Sequence, residues 1–84
     1  MEKVPVGKVT HFFTHISVAV IELSNTVNVG DTISFEGAST NFQQKLDSMQ
    51  IEKKSIQSAG KGQAIGLKTM ERVREGDIVY KIVE

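Results

Sequence analysis

The sequence predicts an all-β protein, a small closed β-barrel of six or seven strands that occupies residues 1–84 as one domain. Two Gly-Asp pairs, Gly30-Asp31 and Gly76-Asp77, each stand before a run in which apolar and polar residues alternate. No stretch has a convincing helical period. Closing the sheet on itself is the economical way for so short an all-β chain to remove exposed strand edges.

The first Gly-Asp pair lies in Val27–Phe35, which reads V-N-V-G-D-T-I-S-F. Apolar residues at every second position, Ile33 and Phe35, are typical of a half-buried strand. The second pair lies in Val73–Val79, which reads V-R-E-G-D-I-V. A tight turn takes Gly where φ is positive, and Asp can accept a hydrogen bond from nearby backbone. The two stretches therefore predict matching turns that each start a strand.

The N-terminal third predicts a strand, a hairpin and a second strand. Residues 4–13 alternate imperfectly. Pro5 has no N–H to donate and suits an edge or the first residues of a strand, and Gly7 suits a bulge. Residues 14–15 form the expected hairpin tip. The dense β-favouring run 16–23 then predicts a central strand with both faces largely covered.

The segment from Phe42 to Lys53 is compatible with two structures. Phe42 and Leu46 have the opposite parity to Met49 and Ile51, so one straight strand would place the two pairs on opposite faces. A long strand with a bulge or bend near residues 47–48 is the preferred interpretation. A short helix over residues 41–49 is the alternative.

Three shorter elements complete the predicted barrel. A short strand is expected around residues 55–57, after two lysines. Gly60 and Gly62 predict a turn before a strand that carries Ile65 and Leu67. The closing strand is expected in residues 78–83, where apolar residues again alternate.

Composition excludes several classes of protein. The chain has 84 residues, ten basic and ten acidic, so its net charge is zero and only a local basic patch could bind nucleic acid. It has no cysteine, which leaves no disulfide framework and no thiolate metal site. The longest apolar run, Val18 to Ile21, is too short to span a bilayer. We expect a soluble, cytoplasmic protein without a membrane role.

Three stretches follow one another along the chain: Val27 to Phe35, the Ser48-Met49-Gln50 triplet, and Ala59 to Lys68 followed by V-R-E-G-D-I-V-Y-K. Together they resemble the second domain of the translational GTPases, the β-barrel of elongation factor Tu, the selenocysteine-specific elongation factor and bacterial initiation factor two. Their order and approximate spacing follow the family pattern over nearly the whole chain. The resemblance implies a barrel that packs against a GTPase domain and helps to hold the aminoacyl end of tRNA.

A closer resemblance is to small free-standing proteins of this barrel class and to the C-terminal domain of collagenase-like peptidase-family proteins. It rests on the first hairpin, Thr10 to Ile16 with the sequence T-H-F-F-T-H-I. His15 stands where that family commonly has Lys, and Asp47 stands where the elongation and initiation factors often have a basic residue. Both differences reduce positive charge.

The sequence offers no convincing enzyme site. Gly60-Lys61-Gly62 lacks the Ser or Thr and the following helix of a phosphate-binding loop, so no nucleotide is expected. His11 and His15 lack a third metal ligand and a nucleophile, so packing for His11 and a solvated turn for His15 are preferred. Glu75 and Asp77 flank Gly76 and are interpreted as turn residues. We predict no catalytic residue, no cofactor and no metal.

The leading functional hypothesis is a non-catalytic, RNA- or translation-associated accessory module. Its expected partner is tRNA or rRNA, or a protein of the translation or RNA-modification machinery. Phosphate contacts would come from Lys53, Lys54, Lys61 and Lys68, with Gln50 as a polar contact. The interpretation of these lysines as ordinary solvated residues is equally compatible with the sequence. The alternative hypothesis is a protein–protein docking module with no nucleic-acid role.

Overall fold

The structure, a computed structural model, describes residues 2–83 and contains ten strands in that range. They are β1 Glu2–Phe13, β2 Val18–Leu23, β3 Val27–Asn28, β4 Thr32–Glu36, β5 Asn41–Lys45, β6 Met49–Ile51, β7 Lys54–Ile56, β8 Ser58–Ala59, β9 Ala64–Lys68 and β10 Ile78–Val83. The predicted all-β class is confirmed, and the part of the chain that the structure describes has no helix.

Eight of the strands form one antiparallel sheet in the order β5-β4-β10-β1-β2-β9-β6-β7, and β3 pairs with β8 in a second, two-stranded sheet. The hydrogen-bonded order of the large sheet has two ends, β5 and β7. The strand number exceeds the six or seven expected from the sequence because short interruptions divide runs that we interpreted as single strands. Residues 46–48, for example, separate β5 from β6.

The long strand β1 is shared between two neighbours. Its first part pairs with β10, with Glu2 opposite Val83, and its second part pairs with β2. The register shifts between Pro5 and Gly7, where a bulge was expected. Pro5 pairs with β10 before the pairing with β2 begins at Gly7, so its missing N–H breaks no ladder on the β2 side.

The segment that allowed two interpretations is extended, as preferred. Phe42 is half-buried, and Gln44 and Leu46 are buried, so one face of β5 points inward. Met49 is buried as well, although it has the opposite parity. Residues 47 and 48, which lie between Leu46 and Met49, are exposed and form the bend. The bend lets Leu46 and Met49 both face the core although they have opposite parity.

A single cluster of buried apolar side chains forms the core. Phe35, the largest fully buried side chain, stacks on the half-buried Phe42 with 5.0 Å between the ring centroids. The other fourteen members of the buried cluster are Val6, Val9, Ala19, Ile21, Leu23, Val27, Ile33, Leu46, Met49, Ala59, Ile65, Leu67, Val73 and Val79.

Three tight turns share one hydrogen-bond design, and we call them the first corner (residues 28–31), the second corner (60–63) and the third corner (74–77). In each, the side chain of the fourth residue accepts a hydrogen bond of 2.8 Å from the N–H of the first. The N–H of the fourth residue donates to the carbonyl of the first, at 3.0–3.1 Å. The third residue is a glycine with positive φ, 102° at Gly30, 88° at Gly62 and 94° at Gly76.

Each corner also binds a buried apolar residue elsewhere in the chain through a pair of backbone hydrogen bonds. The glycine N–H donates to the carbonyl of Leu46, Leu23 or Val9 for the first, second and third corners respectively. The N–H of that same residue donates back to the carbonyl of the fourth corner residue. These bonds measure 2.8–3.0 Å and fix where the strand after each corner begins.

Within residues 2–83, three residues other than glycine have positive φ. Glu52 and Lys53, at 52° and 67°, form the two-residue connection between β6 and β7. That geometry suits the right-handed twist of a hairpin but favours Asn-Gly over larger residues. The third is Ser17, with φ 55°, in the turn between β1 and β2. Because this turn extends to Ser17, β2 begins at Val18, two residues later than expected. Ile16, in the turn, is exposed.

Candidate functional site

The lysines predicted to bind phosphate are all exposed but do not form one cluster. Lys53 and Lys54 lie on the connection between β6 and β7 and at the start of β7. Lys61 lies in the second corner, before β9, whereas Lys68 ends β9. Strands rise about 3.3 Å per residue, so the length of β9 alone separates these two lysines by roughly 13 Å.

Gln50 lies on β6 opposite Gly66 of β9, and its side chain is exposed. It belongs to the β6–β7 hairpin that carries Lys53 and Lys54, so these three residues share one end of the sheet. Lys68 lines a small groove together with Gln50 and also contributes to the larger groove described below. The role of the five residues as nucleic-acid contacts stays a prediction.

An open groove of about 680 Å³ lies between β5 and the end of β9. Two cationic side chains and one carboxylate line it, together with polar and apolar groups. The residues that matter here are Ser17, Gln44, Lys45, Asp47, Lys68 and Met70. The groove thus combines side chains of both charges with one exposed apolar side chain, that of Met70.

Gln44 joins the two sides of this groove. Its side-chain Nε2 donates to the carbonyl of Lys68 at 3.0 Å, and its Oε1 accepts from the backbone N–H of Met70 at 2.8 Å. One amide side chain thus makes both bonds that a neighbouring strand would make with this backbone. Gln44 could have been recognised in the sequence because it has the same inward parity as Phe42 and Leu46.

Three large apolar side chains are exposed in the part of the chain that the structure describes: Phe13 (46%), Ile16 (59%) and Met70 (80%). We call them the apolar tip. The N–H of Ile16 donates to the carbonyl of Phe13 at 3.3 Å. The carbonyl of Ser17, the residue after Ile16, accepts a hydrogen bond of 2.8 Å from the N–H of Thr69. Thr69 is the residue before Met70. The hairpin turn therefore lies against the chain that leaves β9.

His11 does not have the ordinary packing role that we expected. It is about half exposed, its Nδ1 lies 3.7 Å from Oε2 of Glu75, and its ring meets Phe13 edge-on at 4.4 Å between centroids. A bulge in β1 places it next to the third corner, because the register shifts between Val9 and His11. His15 is exposed in the turn between β1 and β2.

Two shifted pKa values have a simple cause in a surface pair. Nζ of Lys3 lies 2.7 Å from Oε2 of Glu36, and this hydrogen bond raises the pKa of Lys3 and lowers the pKa of Glu36. Ser34 also donates to Glu36, at 3.0 Å, and the Lys3 ammonium lies 5.6 Å from the ring centroid of Tyr80. The shifts therefore arise from pairing on an exposed sheet surface and mark no cleft.

Among residues 2–83, no group of three His, Asp or Glu side chains is placed so that it could hold a metal ion. Within the same range, no helix has the length and apolar character needed to cross a membrane.

The chain matches part of several longer proteins. It is 41% identical over 83 residues to a protein of Methanocaldococcus jannaschii named as an uncharacterised protease, covering 98% of this chain and 20% of that protein. It is 33% identical over 82 residues to a Porphyromonas gingivalis protein named collagenase, covering 95% and 20% respectively. The chain thus spans about a fifth of the length of these relatives. No protein-family model matches it.

The fold has close structural counterparts. The crystal structure of the C-terminal domain of a Geobacillus thermoleovorans protein assigned as a U32 peptidase superposes with a TM-score of 0.87 and 20% identity, over 93% of this chain and 91% of that domain. The selenomethionine variant of that domain gives 0.84 and 19%, over 89% and 95%. At this level of identity, the match shows a shared fold.

These matches confirm one expectation and correct another. The resemblance to the collagenase-like peptidase family is confirmed, because the sequence relatives carry the names protease and collagenase. The hypothesis of a translation-factor module associated with RNA is wrong, because the named relatives belong to another class of protein. The likeness to the second domain of elongation factor Tu is not confirmed by these matches.

Proposed function

We propose that this chain is a non-catalytic β-domain that docks on a larger protein body of the U32 peptidase class. The observation that carries this proposal is the pattern of coverage. Nearly all of this chain aligns with one fifth of proteins that are named as proteases or collagenases. A segment of that size, with its own core, supports a role as an appended domain, while the remaining four fifths supply the reaction.

The surface features agree with docking better than with chemistry. The imidazole of His11 and the carboxylate of Glu75 lie close together, and their side chains are 51% and 68% exposed to water. General acid–base catalysis needs a site in which the environment separates the pKa values of such groups. The apolar tip, in contrast, presents three large side chains to solvent from two segments that a backbone hydrogen bond joins. Exposed apolar surface marks interaction sites where it is contiguous.

We further infer that the sheet approaches a closed barrel. Val29 donates its N–H to the carbonyl of Gln57, between β7 and β8, at 2.9 Å. The neighbouring Gly30 donates to the carbonyl of Leu46, at the end of β5, at 2.8 Å. The first corner therefore bonds both ends of the eight-stranded order. Slow hydrogen exchange at the amides of Val29 and Gly30 would support closure, and exchange at the rate of a free loop would contradict it.

The docking proposal is tested with a chimera in which this chain replaces the matching fifth of the Methanocaldococcus jannaschii relative. Small-angle X-ray scattering of the chimera should give one compact particle, because the domain packs on the body. Two bodies that move independently about a linker would contradict the proposal. This chain alone should not hydrolyse gelatin, and hydrolysis by the purified chain would contradict its non-catalytic character.

A further inference from the structure

We propose that the apolar tip and the adjoining groove form the face by which this domain docks on the larger body; this inference rests on the proposed function. The tip consists of Phe13, Ile16 and Met70, and the groove is the one between β5 and the end of β9. The occupant is the part of the polypeptide that, in the relatives, makes up the other four fifths of the chain.

The backbone that carries the tip is held in place from both sides. Met70 is fixed through its N–H to Gln44, and the preceding Thr69 donates its N–H to Ser17 at 2.8 Å and its hydroxyl to the carbonyl of Glu71 at 2.7 Å. Thr69 is itself buried. A surface that is already ordered loses less conformational entropy on binding than a mobile one. The exposed side chains are thus presented by fixed backbone.

The turn beside the tip contains an unfavourable conformation. Ser17 has φ 55°, which costs a residue other than glycine roughly 1 kcal/mol or more. The conformation lets the carbonyl of Ser17 reach Thr69, and the neighbouring Ile16 is exposed to solvent. Ile16 has the parity of Val18 and Val20, which lie on the half-buried face of β2. The turn therefore keeps an apolar side chain on the surface without removing it from the core.

The size of the tip favours a partner in the same polypeptide over a second copy of this chain. A stable dimer of separate chains buries roughly 800 Å² on each partner, which would be about 15% of the 5308 Å² surface described here. Three side chains supply only part of such an area. Within one polypeptide, the effective concentration of the two surfaces is of the order of millimolar, so a smaller contact suffices.

The charges of the groove specify the partner further. Lys45 and Lys68 line it together with the single carboxylate of Asp47, so cationic groups are in excess. The complementary surface is an apolar hollow that receives Ile16 and Met70 and carries acidic side chains beside it. Such complementarity selects the orientation in which the two bodies meet.

Site-specific photo-cross-linking in the chimera tests this face. Benzoylphenylalanine is placed at Ile16, at Met70 or, as a control, at Lys54, which is exposed on β7. Ultraviolet light should cross-link positions 16 and 70 to the body of the same molecule, and position 54 should give no such product. Mass spectrometry of the digested products identifies the linked residues.

The alternative results have distinct meanings. Cross-links to the body from position 54 but not from 16 and 70 would overturn the proposed face while docking itself stands. Cross-links between two isotopically distinguishable copies of the chimera would show that the face binds a second copy. That result would overturn the proposal that its occupant lies in the same molecule. Independent bodies in the scattering experiment would instead overturn the proposed function.

A pair of substitutions provides a second test. Ile16→Lys and Met70→Lys should each turn the compact particle into two separated bodies, while Ala64→Lys, on the exposed start of β9, should leave it compact. All three side chains are exposed, so the thermal midpoint of this chain alone should stay unchanged. Compact scattering from the two tip variants would overturn the inference.

Discussion

The second corner differs from the first and third in one side chain, and the difference shows which part of the design is required. Gln63 stands where the other corners have Asp31 and Asp77. All three side chains nevertheless accept a backbone N–H at 2.8 Å. The corner therefore requires a side-chain oxygen that reaches back three residues, and either an amide or a carboxylate can supply it.

Burial of the fourth residue is what distinguishes the corners. Asp77 is 5% exposed and lies directly against Gly37, where an added Cβ would collide with its carboxylate. Asp31 is half-buried, and Gln63 is exposed to water. A capping oxygen that water can replace contributes less than one that water cannot reach. The three corners therefore share a geometry but are expected to differ in their contributions to stability.

The largest difference is expected between Asp77→Ala and Gln63→Ala. Asp77→Ala should lower the free energy of unfolding by about 2 kcal/mol, because it leaves the part-buried N–H of Arg74 without its charged acceptor. Gln63→Ala should cost about 0.5 kcal/mol, since water can replace the side-chain oxygen at an exposed N–H. Urea unfolding at pH 7 measures both. Equal losses would show that burial does not distinguish the corners.

The glycines should behave alike, in contrast to the capping residues. Gly30→Ala, Gly62→Ala and Gly76→Ala should each cost about 1–2 kcal/mol, because an L-residue is strained at these φ values. An added Cβ would meet nothing within 4 Å at any of the three, so the loss comes from the backbone alone. Gly66→Ala is the matched control, with an ordinary contact of 3.6 Å to Val18. Losses that differ widely among the corners would contradict a common design.

The connection between β6 and β7 provides the converse test, because it has positive φ without glycine. The double substitution Glu52→Asn with Lys53→Gly should raise the free energy of unfolding by about 1 kcal/mol by relieving that strain. Glu52→Gln with Lys53→Arg keeps both strained positions and should have no effect. Thermal unfolding monitored by circular dichroism compares them. If the control were also more stable, the gain would come from the changed side chains and not from relief of backbone strain.

The smallest effect is expected for the exposed pair of Lys3 and Glu36. This pair serves as a reference for Asp77, the buried residue of the third corner. The lowered pKa of Glu36 means that its contribution is present above its usual value of 4.5 and is lost as pH falls through the folded value. The raised pKa of Lys3 means that its contribution is present below 10.5 and is lost as pH rises through the folded value.

A double-mutant cycle with Lys3→Met and Glu36→Gln measures this pair by urea unfolding at several pH values. The coupling free energy between Lys3 and Glu36 should be small between pH 4.5 and pH 10.5. It should become smaller still in 1 M salt, which screens exposed charges. Coupling that does not decline as pH falls below 4.5, or that ignores salt, would contradict the assignment.

The sequence predicted much of the fold because the decisive signals are local. Glycine at positions 30 and 76 and alternation after each pair indicated turns followed by strands, and the parity change between Leu46 and Met49 indicated a bend. The second corner was only partly recognised. Its Gln63 does not look like a capping residue, although Ala59, Gly62 and Ile65 occupy the same relative positions as Val27, Gly30 and Ile33 in the first corner.

The candidate site was not predictable in the same way, because it depends on contacts between distant segments. Nothing around Met70 in the sequence indicates that it lies beside the β1–β2 turn. The preceding residue, Thr69, is hydrogen-bonded to the carbonyl of Ser17, which lies 52 positions earlier in the chain. Ile16 is a β-favouring apolar residue, but it lies in the turn and has the parity of the half-buried face of β2, and it is exposed. Counting lysines selected residues at opposite ends of β9, since a linear sequence contains no distances.

The pairing of Glu2 with Val83 has a practical consequence for how this domain can be joined to other proteins. Whatever is attached before residue 2 or after residue 83 leaves from the same spot, so the order of two fused partners should matter little. A circular permutant that links these residues by a short loop and opens within the exposed stretch 37–39 should keep every strand pair. The domain could equally be inserted into a surface loop of a host protein, with both connections entering side by side.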